Sequence, residues 1–227
     1  MDINETKQIL KLNKDFYQSL AKDFSKTRQS PWIGWNKLIP IIKGFKTIRV
    51  LDVACGNGRF YDFILKQSAS EMVDYFGIDT NDIFINEAKS KYKTARFENL
   101  DAVEDINTIK EEFNLVVCFG FTHHIPGQEN RKKWFEAVSH LILPGGYLIF
   151  TTWSATKLGK TAKMSTKGDN LGGWGDTGQK RYIHIYDQKE LDEIGEVLHK
   201  RKLKLISTYT SDGRTNNLNT YFVFKRD

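Results

Sequence analysis

Two cysteines in 227 residues are too few for a disulfide framework, and four prolines are too few for a proline-rich linker. Cys55 and Cys118 fall at predicted strand ends inside the core. They read as small buried thiols of a protein in a reducing cytoplasm, not as a bridge or a metal site. No stretch of about 18 apolar residues occurs, which excludes a membrane-spanning helix. The opening Met1-Asp2-Ile3-Asn4-Glu5 lacks the apolar core of a signal peptide. Repeats and low-complexity tracts are missing too. What remains is 40% hydrophobic and 27% charged, the balance of a folded chain and not a disordered one. Its length suits one well-buried α/β core.

A further absence sits in the most informative stretch, Val50-Leu51-Asp52-Val53-Ala54-Cys55-Gly56-Asn57-Gly58-Arg59-Phe60. It reads as a buried strand, a glycine-turned loop and a helix start. Gly56 and Gly58 have no Cβ, so the loop can turn tightly and a ligand can approach the main chain. A dinucleotide fingerprint would carry a third glycine, but Arg59, Phe60 and Tyr61 follow instead. The next acidic strand end, Asp79 in Tyr75-Phe76-Gly77-Ile78-Asp79, lies about 20 residues past the loop, the usual distance to a carboxylate that holds ribose hydroxyls. Glycines and acid together predict a nucleoside-cofactor site at the carboxyl ends of two neighbouring parallel strands.

Strands and helices alternate along the chain, which predicts a parallel sheet with helices on both faces. Strands are expected at about 48–53, 73–79, 95–100, 113–119, 147–151, 203–210 and 219–225. Helices are expected near 59–67, 82–91, 104–110, 128–142 and 187–200. The first region, about 3–44, reads as helices without a strand: Ile9, Leu12, Phe16 and Leu20 recur at helical spacing, and Trp32 to Ile42 mark a second helix after Pro31. The expected organisation is a helical cover over 1–44 and a main domain over 45–227, with a basic insertion at about 153–185.

Charge supports the insertion as a distinct feature. The formal net charge is +6, and between Trp153 and Ile185 six Lys/Arg (Lys157, Lys160, Lys163, Lys167, Lys180, Arg181) face two acids. Trp153, Trp174 and Tyr182 interleave with them in a loop-like segment rich in Gly and Thr. One reading is a solvated surface loop. The other is a clamp for a polyanion that offers rings for base stacking.

The loop from Asp52 to Gly58 resembles motif I of the class I S-adenosylmethionine (SAM) methyltransferases, with Ala54 where that family usually has glycine. Leu100-Asp101-Ala102 at the end of strand three and the turn Leu143-Pro144-Gly145-Gly146-Tyr147 before strand five resemble the same family. The resemblance implies a Rossmann-like α/β fold: a seven-stranded, mostly parallel sheet with the last strand antiparallel. It also implies SAM as cofactor. The expected cofactor-binding residues are Tyr17, Arg28, Asp52, Gly56, Gly58, Asp79, Asp101, Ala102 and Phe119. Asp101 or its neighbour would accept from the adenine amino group, and Arg28 would pair with the carboxylate of SAM.

A narrower resemblance extends over most of the chain. Phe24-Ser25-Lys26-Thr27-Arg28 with Pro31-Trp32, His123-His124, and Arg181-Tyr182-Ile183-His184-Ile185-Tyr186 are similar to the tRNA wobble-uridine carboxyl methyltransferases. Two departures are Gly173 before Trp174, where proline is usual, and the want of an aromatic residue directly after an asparagine near Asn219. The implied reaction is methyl esterification of a carboxymethyl group on tRNA, and eukaryotic members work with a small zinc-binding activator protein. No metal and no membrane partner is expected of this chain.

The chemistry divides by acceptor. A carboxylate is already ionised at pH 7 and needs only groups that position and desolvate it, such as Arg181, His184 or His123. A hydroxyl or amine needs a base, for which His123 or His124 is the candidate. Lys160, Lys163, Lys167, Trp174 and Tyr182 are the expected contacts to substrate RNA. The alternatives are a methyltransferase with a small-molecule acceptor and a SAM- or RNA-binding protein without turnover.

Overall fold

The computed structural model describes residues 1–68, 72–153, 161–164, 167–173 and 177–227. Helix α1 (Ile3–Thr27) begins at Asp2, whose carboxylate accepts from the backbone N–H of Glu5 at 2.8 Å. It buries Ile9, Asn13, Phe16, Leu20 and Phe24, spaced three and four apart along one face. Leu12, expected in that stripe, is one of the exposed apolar residues. The second helix expected from Trp32 onward is two pieces: a 3-10 helix, Ile33–Leu38, and α2, Ile39–Lys43. Pro40 lies in the first turn of α2, where its missing N–H costs nothing.

The main sheet follows the predicted alternation. Its strands are β1 (Thr47–Val53), β2 (Met72–Asp79), β3 (Arg96–Asn99), β4 (Phe113–Cys118), β5 (Ile142–Trp153), and the last two in the chain, β9 (Leu203–Ser211) and β10 (Asn219–Arg226). They lie in the order β3-β2-β1-β4-β5-β10-β9. β1 to β5 pair in parallel, and β10 runs against both its neighbours. Helices α3 (Arg59–Gln67), α4 (Asp82–Lys91), α5 (Gln128–Ser139) and α6 (Gln188–Lys200) cover the faces. The segment expected as a helix near 104–110 is only a 3-10 turn, Ile106–Thr108.

Side-chain alternation along the central strands explains the two layers. Leu51, Val53, Val116, Leu148 and Phe150 point to one face and meet Trp134 and Phe135 of α5 and Ile194 and Leu198 of α6. Ile48, Val50, Leu115, Val117 and Ile149 point to the other and meet Phe60 and Ile64 of α3, Ile85 of α4, and Trp35. Among the described residues no helix is long and apolar enough to cross a membrane.

The basic insertion departs from its reading as a loop. It forms a second antiparallel sheet of β6 (Thr161–Lys163), β7 (Asp169–Gly173) and β8 (Lys180–His184). Its strand character was hidden because many of the residues it buries are polar: Asp169, Arg181 and His184 are at most 5% exposed, beside the buried Tyr182 and Ile183. Helix α1 closes over β8 through Asn13, which accepts from Tyr182 N at 2.7 Å and donates to the His124 carbonyl at 3.3 Å.

The 3-10 helix is pinned to the sheet at Gly34, whose N–H donates to Asp212 Oδ1 at 2.8 Å. A Cβ at Gly34 would lie 2.5 Å from the buried ring of Tyr221. Gly34→Ala is therefore expected to lower stability by about 1–3 kcal/mol through overpacking, measured as a lower urea midpoint at unchanged m-value.

Candidate functional site

A cavity of about 550 Å³ opens at the carboxyl ends of β1, β2 and β4, under α1. That edge is where ligands bind in doubly wound sheets, because the loops leaving parallel strands converge there. One half is built by the main sheet alone. The loop after β1 carries Ala54, Gly56 and Gly58, all in the left-handed region at φ +59°, +55° and +76°. Ala54 holds that conformation with a Cβ, at a cost of about 1–2 kcal/mol, where the resembling family uses glycine.

The two glycines serve different ends. A Cβ at Gly56 would meet nothing within 4 Å, so its backbone lies open to the cavity. Gly58 is outside the cavity wall; a Cβ there would press on Phe97 at 3.0 Å and Tyr92 at 3.2 Å, and its role is to let α3 start against that packing. Asp79 ties the parts together. Its Oδ2 accepts from Gly56 N and its Oδ1 from Asn81 N, both at 2.9 Å. Each oxygen keeps a lone pair for a ligand hydroxyl. Burial pushes its carboxyl up to about 6, against the pull of those two amides.

Asp52 lines the same half, 3% exposed and bonded by Tyr75 Oη, with burial raising its carboxyl to about 7. Asp101 shapes the turn after β3: its Oδ1 accepts from Val103 N at 2.7 Å and Glu104 N at 3.1 Å. Ala102 forms the wall beside it, and Phe119 stands across the cavity within an aromatic group of Trp32, Trp35 and Phe60. An open glycine backbone, a carboxylate with free lone pairs and an apolar wall fit a nucleoside with a ribose and a flat base.

The other half is built by α1 and the small sheet. Arg181 is 5% exposed, and its guanidinium carbon lies 4.7, 5.2 and 5.7 Å from the ring centres of Phe16, Trp153 and Tyr17. Its Nε and Nη1 have no partner among the described residues. Of the histidine pair it is His124 that lines the cavity. Its Nδ1 is 2.8 Å from the Tyr182 carbonyl, which can only accept, so Nδ1 carries the proton. Nε2 then accepts from the Tyr17 hydroxyl at 2.7 Å. Burial, reinforced by Arg181, holds His124 down to about 3, so it is neutral at physiological pH. Arg28 lines the mouth with its guanidinium 3.8 Å over the Phe24 ring.

Several expected residues stand elsewhere. His123 is fully buried outside the cavity wall, 4.2 Å from the Trp153 ring centre, and burial keeps it well below the usual imidazole range. The pair splits because the 3-10 turn Thr122–His124 sends neighbouring side chains in different directions. His184 is also outside the wall. Its Nδ1 and Nε2 each lie 2.6 Å from a carboxylate, Asp169 and Glu190. Glu190 in turn takes Arg131 Nε at 2.6 Å. Tyr182, read as a stacking ring, is fully buried and donates its hydroxyl to Asp169, so no base can reach it. Lys167 is exposed and ion-paired to Asp187 at 2.8 Å. Lys163 lies in β6, while Lys160 and Trp174 fall outside the described residues. The sequence reading also passed over Asn13 and Asn219, wall residues whose polar atoms become informative only once their partners are known.

Comparison with known proteins agrees with this geometry. The family described as "Methyltransferase domain" matches residues 51–148. A tRNA (carboxymethyluridine(34)-5-O)-methyltransferase of Arabidopsis thaliana is 25% identical over 142 residues, 61% of this chain and 32% of that protein. The chain thus spans about a third of that relative's length in the matched region. Among solved structures, an S-adenosylmethionine-dependent methyltransferase from Clostridium acetobutylicum superposes with a TM-score of 0.65 at 16% identity, covering 92% of this chain and 98% of that one. The magnesium protoporphyrin IX methyltransferase of Synechocystis, crystallised with SAM, gives 0.63 at 13% identity over 94% and 95%. Residues 51–148 thus match a methyltransferase domain, and the fold around the cavity is similar to that of solved SAM-dependent methyltransferases.

Two outcomes follow from the site. Asp79→Ala is expected to weaken binding of S-adenosylhomocysteine by about 1–3 kcal/mol in calorimetry, the cost of hydroxyls left without a charged acceptor. In the wild type the affinity should fall as pH drops through about 6, where Asp79 takes up its proton. The second concerns His184. Burial alone would lower its pKa, but its bonds to Asp169 and Glu190 outweigh that and raise it. A raised imidazole stabilises the fold fully below its unfolded value of about 6.5 and loses that stabilisation as pH rises through the folded value. The urea midpoint should therefore decline with rising pH above about 6.5, and His184→Gln should flatten the decline.

Proposed function

We propose that this chain is a SAM-dependent methyltransferase that esterifies a carboxylate, and that the carboxylate is the carboxymethyl group of a modified tRNA wobble uridine. The observation that carries the first part is Arg181: a guanidinium boxed by three rings, buried beside the cavity, with two nitrogens lacking a partner among the described residues. A desolvated cation in that state favours an anionic partner strongly. The second part draws on the Arabidopsis relative's name and on the net charge of +6. In this reading 1–44 acts as a cover and 45–227 as the transferring domain, working in the reducing cytoplasm, where the free Cys55 and Cys118 are stable.

SAM, when bound, supplies a methyl group already activated by its sulfonium. The residues have the remaining work. Gly56, Asp79, Asp101 and Ala102 would hold the nucleoside end of SAM, and Arg28 at the mouth would pair with its carboxylate. Arg181 orients the acceptor oxygen toward the transferred group, and Trp153, Phe119 and α1 keep water out. No base is required, because a carboxylate with a pKa of about 4 is ionised at neutral pH. Tyr17 already donates to His124, so its oxygen is left to accept, not to donate. The buried His123 and the doubly bonded His184 support this wall without touching the acceptor.

A small carboxylic acid as acceptor is the second reading. It is favoured by Tyr182 being buried and Lys167 being paired, which leaves the small sheet with fewer groups for RNA than its composition suggests.

Single-turnover assays on carboxymethylated tRNA and on small acids, with mass spectrometry of the products, test the proposal. Arg181→Ala is expected to lower kcat/KM by about 100-fold or more, the scale of about 3 kcal/mol for a buried charge contact, with affinity for S-adenosylhomocysteine kept. Arg181→Lys should recover little, since an ammonium cannot match a planar fork. With SAM saturating, so that protonation of Asp79 does not limit binding, the rate should be flat between pH 6 and 8, because His124 stays neutral there. A rate that falls as pH drops through about 6.5 would instead reveal an acceptor that needs a base. Turnover of small acids with none on tRNA would select the second reading.

A further inference from the structure

The acceptor half of the cavity holds one more buried polar atom without a partner. Asn219 opens β10 directly opposite Trp153 of β5, the residue whose ring lies against Arg181. Its side chain is fully buried in the cavity wall. Chemistry fixes the orientation of its amide. Nδ2 donates to Asp212 Oδ2 at 2.8 Å, an oxygen that also accepts from Tyr221 Oη, so the NH₂ group faces Asp212. Asp212 cannot turn away, because Gly34 N holds its Oδ1 at 2.8 Å and Tyr221 Oη holds its Oδ2 at 2.6 Å. Oδ1 of Asn219 is left on the other side, and no donor reaches it among the described residues.

A buried carbonyl without a donor is destabilising and calls for an explanation. Asn13, in the same wall, shows the contrast: both ends of its amide are bonded, to Tyr182 N and to the His124 carbonyl. Asn219 is half satisfied, and the unsatisfied half is an acceptor. The unpaired donors of Arg181 stand near the same tryptophan. The wall therefore presents one site for an anion and one for an N–H.

We propose that Asn219 is a specificity residue for the methyl acceptor, accepting a hydrogen bond from a ring N–H while Arg181 holds the carboxylate. This inference rests on the carboxylate reading above. It narrows the acceptor to a flat heterocycle that carries both a side-chain carboxylate and an N–H, as a 5-carboxymethyluracil ring does at N3. A simple aliphatic acid brings no donor. A ring alkylated at that nitrogen sets a methyl group against a buried carbonyl, the kind of mismatch that a hydrogen-bonding site rejects.

The test compares 5-carboxymethyluridine with its N3-methyl analogue, by turnover with SAM and by calorimetry in the presence of S-adenosylhomocysteine. The wild type is expected to prefer the N–H compound by about 10- to 100-fold in kcat/KM, the range for one unpaired buried acceptor. Asn219→Ala and Asn219→Ser should bring the two compounds within about 3-fold of each other, since neither side chain offers the amide carbonyl. The preference is a ratio within one protein, so partial destabilisation of a variant does not move it, and the wild-type ratio stands even if a variant fails to fold. Equal turnover of the two compounds by the wild type, or a preference kept in Asn219→Ala, overturns the assignment while the carboxylate reading survives. Selective binding without transfer supports Asn219 and removes the transfer reading. Failure of both compounds to bind overturns both.

Discussion

Asp79 receives two backbone amides, one from the loop after β1 and one from the turn after β2, and the site depends on that junction. The loop residues Ala54 and Gly56 sit in left-handed conformations that an isolated peptide would rarely hold. A buried carboxylate bonded at both oxygens keeps them there. Cys55 N, bonded to the Ile78 carbonyl at 2.9 Å, carries the β1–β2 ladder up to the same point. Asn81 then caps α4 with its side-chain oxygen and donates its NH₂ group to the Tyr17 carbonyl at 2.9 Å, so the junction reaches α1 as well. Cofactor loop, following helix and cover are thus joined through two adjacent turns.

The acceptor half follows a different logic, in which polar groups do the packing. Beneath β7 and β8, Asp169, Glu190, Arg131 and His184 form a buried cluster with hydrogen-bonded charges of both signs. A histidine between two carboxylates is most stable as the imidazolium, which balances the second acid. Such a cluster fixes geometry more than it adds stability, because desolvation offsets much of the attraction. Its consequence is positional: β8 is held rigidly, and β8 presents Arg181 to the cavity. Asn13 performs the same service from the other side, joining α1 to β8 and to the 3-10 turn that carries His124.

The strands of the main sheet were legible because the central ones are buried on both faces and therefore read as apolar runs, as in Leu115-Val116-Val117. Helix α3 was legible from the glycine turn before Arg59, and α4 was expected near 82–91, where the structure starts it at an Asn81 cap. The small antiparallel sheet was not legible. Its buried residues are largely polar, and Asp169, Tyr182 and His184, which in a sequence look like a solvated loop, bond to one another in the fold.

The sequence alone marked the half of the cavity proposed to take the cofactor. Gly56 and Asp79 follow strands whose apolar pattern places them at one edge of a parallel sheet, and the family resemblance added Asp101, which lines the same cavity. Tertiary structure alone decided the acceptor half. Which histidine faces the cavity, whether Tyr182 is a surface ring or a core hydroxyl, and which atom of Asn219 lacks a partner depend on contacts between residues far apart in the chain. Asn13 meets Tyr182, Arg131 meets Glu190, and Asn219 takes its orientation from an Asp212 that Gly34 holds. Periodicity reports whether a residue faces inward. It does not report what that residue meets there, and for polar side chains the partner decides the chemistry.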